Sequence, residues 1–150
     1  MRAMKRSKAL TSLSHQHHDG LFVALQLKRA TLETAAEARR AFLDFFERAG
    51  ASHFRAEEEV LLPAYARHSH CDQPAIVRVL TEHVDLRRRA QDLEAAQEPD
   101  LADLRELGER LESHIRHEER VLFPMIEEAL PADALEQLGA DMAGVEAGHD

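Results

Sequence analysis

No tryptophan and only one tyrosine occur among the 150 residues, so stacking of nucleic-acid bases on aromatic side chains is not a function to expect. A single cysteine, Cys71, excludes an internal disulfide and fits a reducing compartment. No run approaches the roughly 18 apolar residues of a membrane span. The basic residues Arg2, Lys5, Arg6 and Lys8 are not followed by the apolar stretch that an export signal requires. Basic residues are in deficit, 19 against 28 acidic. The formal net charge of −9 makes nucleic acid and anionic membrane poor partners, and cations good ones. Glycine and proline, six and five, are few, and no stretch alternates as a half-buried strand does. These absences leave one soluble, cytoplasmic domain of long helices, large enough for a single core.

Apolar spacing and chain breaks predict four such helices. The first covers about residues 12–30, with Leu21, Leu25 and Leu32 at helical spacing. The second runs from about Leu32 or Thr34 to about Arg67. Gly50 falls inside it at a cost of about 1 kcal/mol relative to alanine, and Pro63 is placed to kink or shorten its end. Pro74 suits the first turn of a third helix, which continues to about Ala96. Glu98-Pro99-Asp100 is the next break, and Asp100 is the expected N-cap of a fourth helix reaching about Ala129. Pro131 to Ala143 reads as a short terminal helix, with Gly144 and Gly148 in a fraying end. The expected fold is all-α: an antiparallel up-down four-helix bundle over about residues 10–130, followed by a short C-terminal helix or tail at 131–150.

What the chain has in excess is histidine, ten in all, neither clustered as a terminal tag nor as a low-complexity tract. Two of them open the same signature, written twice and 61 residues apart. The first copy is His53-Phe54-Arg55-Ala56-Glu57-Glu58-Glu59-Val60-Leu61-Leu62-Pro63; the second is His114-Ile115-Arg116-His117-Glu118-Glu119-Arg120-Val121-Leu122-Phe123-Pro124. Seven of the eleven positions are identical. The spacing stacks an imidazole and a carboxylate one turn apart on one helix face. At about 100° per residue, Phe42, Phe46, Glu57 and Val60 share the face of His53, while Leu107, Glu118, Val121 and Met125 share that of His114. Glu58, Glu59 and Glu119 rotate away. His83 lies on the stripe of Ile76, Val79, Leu86 and Ala90. On the first helix His18 shares the pattern of His83, with leucine three residues on (Leu21) and an apolar residue seven on (Leu25), whereas His17 aligns with Leu10, Leu13, Leu21 and Ala24. His18 is favoured, with His17 as the alternative and His15 one turn before. An inward carboxylate costs several kcal/mol unless a cation or proton accompanies it, so these faces point to a metal site, most simply for two ions.

Histidine on the first helix, H-x-x-x-E on the second, E-H-x-x-L at Glu82-His83-Val84-Asp85-Leu86 and H-x-x-x-E-E-x-x-L-F-P on the fourth resemble the hemerythrin-like (HHE cation-binding) domain family. The resemblance spans roughly residues 10–130. It implies a four-helix bundle with a non-haem di-iron centre, oxo- or hydroxo-bridged, in which His18 (or His17), His53, His83 and His114 are terminal ligands and Glu57 and Glu118 bridge both ions. Mixed imidazole and carboxylate donors suit iron or manganese; zinc is possible, but the set is too oxygen-rich for a closed structural zinc site. The family's dioxygen carriers use five histidines. Here the inward set holds four, with His15, His17 or His117 the only sources of a fifth, which argues against reversible dioxygen carriage. The function implied is binding of, or reaction with, dioxygen, peroxide or nitric oxide, or the sensing or storing of iron. Alternatives are a purely structural metal and a metal-dependent sensor module that docks on a protein partner. His68, His70 and Cys71 read as an ordinary polar loop, and Arg87-Arg88-Arg89 as a solvated helix face.

Overall fold

The computed structural model describes residues 5–147; Arg2 and Gly148, named above, lie outside them. The first helix, α1, is Thr11–Lys28, entered through a 3-10 turn at Lys8–Leu10. The second, α2, covers residues 35–66 without a break but changes pitch along its length. Ala35–Phe45 is α-helical, Phe46–Gly50 is a π turn, Ala51–Ala56 is α-helical, Glu57–Leu61 is a second π turn, and Leu62–Ala66 is α-helical again. Pro74–Ala95 is α3. Residues 101–129 form α4, with Leu101–His117 and Phe123–Ala129 joined by a π turn at Glu118–Leu122. Ala132–Ala147 is α5. No strand occurs among the described residues.

Each helix is antiparallel to its sequential neighbour: Gln16 and Gly20 meet His53 and Phe45, Arg39 and Glu58 meet Glu94 and His83, and Arg78 and Arg89 meet Ser113 and Glu106, each in opposite order. Ser14 meets Glu119 and Lys28 meets Glu112 across α1 and α4. Caps fall where the residue types demand them. The Asp100 carboxylate accepts the Ala102 N–H at 2.8 Å, and Pro74 is the first residue of α3. Arg105 of α4 donates twice to the Ala30 carbonyl just beyond α1, at 3.1 and 2.8 Å. The up-down four-helix bundle expected from the sequence is what the chain forms.

The core comes in two halves. One is built on Val23, Leu27, Phe42, Phe45, Leu104 and Leu111 near the α1–α2 connection. The other is built on Leu10, Leu13, Leu61, Tyr65, Phe123 and Ile126 at the opposite end. Between them, at the same level on all four helices, sit the buried polar side chains. Where α1 crosses α4 the backbones come close enough that a Cβ on Gly108 would lie 2.7 Å from the Ala24 carbonyl oxygen and 2.8 Å from the Lys28 nitrogen.

Three features depart from expectation. The inward stripe of α1 is Leu10, Leu13, His17, Gly20, Ala24 and Leu27; Leu25 and Leu32 are exposed, so the leucine spacing marked the wrong face. The terminal segment is not a fraying tail through Gly144. Helix α5 continues to Ala147 and buries Leu138 and Met142 in the second core half, with Gly139 against Ala9. Finally, the π turns shift the apolar register by one residue. In each of the two at the motifs, the N–H after the turn bonds five residues back, Leu62 to Glu57 and Phe123 to Glu118, which inserts a residue into the helix. The core therefore receives Leu61 and Leu122 where uniform pitch assigns Val60 and Val121. Leu122 is 0% exposed and Val121 42%. Pro63 and Pro124 each follow two residues after the turn, and the widened pitch accommodates a ring that would clash with a regular preceding turn.

The shifted register has a direct test in thermal or denaturant unfolding. Leu122→Ala should cost about 2–5 kcal/mol, as a large-to-small core change does, whereas Val121→Ala should stay within about 0.5 kcal/mol, as surface changes do. The close helix crossing has another. Gly108→Ala should destabilise by about 1–3 kcal/mol, because backbone must move to admit the methyl group. Gly144→Ala, with nothing within 4 Å of the new Cβ, should be neutral or stabilise by up to about 1 kcal/mol through helix propensity.

Candidate metal centre

Each helix of the four-helix bundle delivers an imidazole to the layer between the core halves: His17 from α1, His53 from α2, His83 from α3 and His114 from α4, all buried. Glu57 and Glu118, one turn after His53 and His114, are fully buried among them. Both glutamates are the first residues of π turns. The two carboxylates divide their oxygens between two histidine pairs. The Glu118 Oε1 atom lies 2.8 Å from His17 Nε2 and 3.4 Å from His53 Nε2, while its Oε2 lies 3.0 Å from His114 Nε2 and 3.5 Å from His83 Nε2. Glu57 turns Oε2 to His53 Nε2 at 3.0 Å and Oε1 to His83 Nε2 at 2.9 Å. The result is two groups able to hold an ion, His17 with His53 and His83 with His114. Glu57 and Glu118 belong to both, and the ligand atoms of each group lie within 4.8 Å of one another.

The opposite ring edge of every histidine is held. His17 Nδ1 lies 2.6 Å from Glu119 Oε2, His83 Nδ1 2.6 Å from Glu58 Oε2, His114 Nδ1 2.7 Å from Glu82 Oε1, and His53 Nδ1 2.8 Å from Gln16 Oε1. An ionised carboxylate only accepts, so Nδ1 carries the proton, and in the neutral ring the Nε2 lone pair faces the cluster. That is how a ligand histidine is usually oriented. Aromatic rings fix the planes: Phe54 stacks on His83 with centroids 3.9 Å apart, and Phe123 stacks on His17 at 5.4 Å.

The electrostatics are those of a charged cluster out of water. Burial alone would push each imidazole down. The Glu57 charge and the hydrogen bonds to Glu118 and Glu57 overcome it for His53, which is raised to about 10. His114 is raised to about 10, against burial, chiefly by the charge of Glu118 and its hydrogen bond. His83 is raised to about 9, against burial, by hydrogen bonds to Glu118 and Glu57, and His17 is raised by Glu118 and Glu119. Burial would raise Glu118, yet the His114 charge and the hydrogen bonds of His114, His17 and His53 hold it well below the usual carboxylate range. Protons and metal ions compete for the same nitrogens.

Five buried side-chain atoms have no aligned hydrogen-bond partner among the described residues; beside Arg87 Nε they are Glu57 Oε1, His83 Nε2, His114 Nε2 and Glu118 Oε2 of the cluster, although His83 Nε2 and His114 Nε2 each have a carboxylate oxygen within 3.0 Å. The four cluster atoms all belong to residues of the His83/His114 group. Donors in such a state fit a cation. Two nitrogens and two oxygens per position, with both carboxylates shared, match the mixed donor set that iron and manganese accept.

The sequence-based site set is brought together with one exchange. His53, Glu57, His83, His114 and Glu118 join as expected, but the α1 member is His17. His18 is exposed on the far side of α1, because the face that packs on α4 is the one carrying Gly20 and Ala24, not the leucine-rich one. His15 is exposed too, and His117, although buried, reaches the Ala75 carbonyl at 3.0 Å instead of either group. His68, His70 and Cys71 are exposed and belong to neither group. What the sequence did not reveal is the ring of Nδ1 acceptors. Glu58 and Glu119 do rotate away from the ligand positions, but only far enough to meet a histidine on a neighbouring helix. The Arg87-Arg88-Arg89 run is not uniformly solvated either. Arg87 bonds Glu58 and lies 5.5 Å over the Phe54 ring, and Arg89 bridges Asp85 and Glu106.

A family model described as the hemerythrin HHE cation binding domain matches residues 9–138. No curated protein and no solved structure matches the chain. The exchange on α1 is open to a metal count after loading with iron(II). His17→Ala should fall from two ions per chain towards one, and His18→Ala should keep both.

Proposed function

Because the chain belongs to the hemerythrin HHE cation-binding domain family, we propose that its four histidines and two glutamates hold two iron ions and present them to a small oxidant: dioxygen, peroxide or nitric oxide. The observation that carries this reading is the sharing of Glu57 and Glu118 between two histidine pairs, each carboxylate turning one oxygen to each pair. His17 and His53 are the terminal ligands of one ion, and His83 and His114 those of the other. When bound, the ions supply Lewis acidity and one-electron redox chemistry towards small ligands.

The surrounding residues restrict what reaches that chemistry. A cavity of about 20 Å³ lies beside the cluster, lined by Phe42, Phe45, Phe54, Leu86, Leu111 and Ile115 together with the ring edges of His17, His53 and His114. A cavity that small has room for about one water-sized molecule. Its apolar wall favours a diatomic guest over a polar substrate, and nothing larger than a few atoms fits. Glu58, Glu82, Glu119 and Gln16 keep the ring planes fixed while the guest comes and goes, and Gly50 lines the cavity wall where a Cβ would lie 2.9 Å from Phe46.

Anaerobic reconstitution with iron(II), followed by metal analysis and optical spectra, tests the proposal. The wild-type chain should take up two ions, and binding at 100 times the dissociation constant should add about 3 kcal/mol of stability per ion. Admitting dioxygen or nitric oxide should change the visible spectrum. Glu57→Gln and Glu118→Gln should each lose iron and the response together. Full loading with no response to any of the three oxidants would instead assign the ions a purely structural role.

A further inference from the structure

Three of the four Nδ1 acceptors are carboxylates, and each is itself tied to an arginine. Arg87 reaches Glu58 at 3.3 Å, Arg78 reaches Glu82 at 2.8 Å, and Arg6 reaches Glu119 at 3.3 Å. The fourth acceptor is Gln16, a neutral amide, on His53. The two metal positions therefore differ in their surroundings while sharing the same bridging glutamates. Behind His83 and His114 stand two carboxylates; behind His17 and His53 stand one carboxylate and one amide. A carboxylate on the Nδ1 proton raises the basicity of the ring and strengthens it as a ligand, and an amide does so much less. The arginines do not erase the difference. Their side chains are partly exposed, where water and salt screen them.

A second observation points the same way. Of the five buried side-chain atoms without an aligned hydrogen bond among the described residues, four, Glu57 Oε1, His83 Nε2, His114 Nε2 and Glu118 Oε2, are the donor atoms of the His83/His114 position, and the fifth is Arg87 Nε. The donors of the other position are engaged with one another: His17 Nε2 with Glu118 Oε1 at 2.8 Å and His53 Nε2 with Glu57 Oε2 at 3.0 Å. The carboxylate contacts at the first position, 2.9 Å at His83 and 3.0 Å at His114, are as short but less well aligned, so a cation there displaces weaker hydrogen bonds than one at the second. From both observations we infer that Gln16 makes the His17/His53 position the weaker, exchangeable one, so that the centre fills at His83/His114 first. Both histidines of the exchangeable position, with Gln16, line the apolar cavity, whereas only His114 of the other position does.

The inference rests on the two-ion reading, and a titration separates the two. The full chain, stripped by a chelator, is titrated anaerobically with cobalt(II) and followed by calorimetry and by the visible cobalt absorption, with melting curves to establish that each variant is folded. The wild type should bind two ions in two resolved steps. Gln16→Glu should strengthen the weaker step about 10–100-fold and draw the two steps together, and Glu82→Gln should weaken the tighter step by a similar factor. Two ions with the weaker step unchanged in Gln16→Glu, or with Glu82→Gln acting on the weaker step, would overturn the inference and leave the two-ion reading standing. Fewer than two ions in the wild type would overturn both.

Discussion

Glu57 and Glu118 have no contact with solvent, and a carboxylate so placed costs several kcal/mol unless cations or donors surround it. The arrangement of the four-helix bundle meets that requirement. One imidazole from each helix turns Nε2 towards the pair, and each imidazole is held from behind by an acceptor, three of which come from a neighbouring helix among Glu58, Glu82 and Glu119 and one from Gln16. Removing any one helix would leave a buried charge uncompensated. The polar layer thus joins the helices while interrupting the apolar core, and it sets their rotation as tightly as the leucines do.

The two core halves are what make the layer possible. Each closes one end of the bundle with large side chains, Phe42 and Phe45 on one side, Phe123 and Ile126 on the other, with α5 laying Leu138 and Met142 over the second. The interactions inside act in a low dielectric, and the four imidazoles and the Glu118 carboxylate shift from their solution behaviour. The π turns serve the same end. A helix of uniform pitch would carry Val60 and Val121 inward after the glutamates; the extra residue brings Leu61 and Leu122 to the core instead, and lets Pro63 and Pro124 continue the helix. Pitch, packing and ligand direction are linked at one point on α2 and again on α4, where the duplicated motif lies.

Much of this was readable from residue spacing. H-x-x-x-E written twice, with E-H-x-x-L between, specified five of the six clustered side chains, because i, i+4 spacing on a helix is insensitive to small errors in pitch. The sixth failed for a physical reason. On α1 the contact face carries small residues, Gly20 against Ile115 and Phe45, and Ala24, and a pattern weighted by large apolar residues follows the exposed Leu25 to the wrong side. Register after the glutamates failed because periodicity assumes a constant pitch. The Nδ1 acceptors were hidden because they are long-range pairs: Glu58 and Glu119 look like solvent-facing neighbours of a ligand until another helix is packed against them. Helix α5 was expected to end near Ala143 because Gly144 suggests fraying, and its burial was hidden because it depends on a surface formed by the 3-10 turn and α2.

We propose that two ions share both buried carboxylates. Anomalous diffraction from crystals of the iron-loaded protein, collected at the iron edge, addresses it most directly. Two peaks should appear in the layer between the core halves, one flanked by His17 and His53 and the other by His83 and His114, with Glu57 and Glu118 reaching both. A single peak there, or iron located at His68, His70 and Cys71 instead, would contradict the claim.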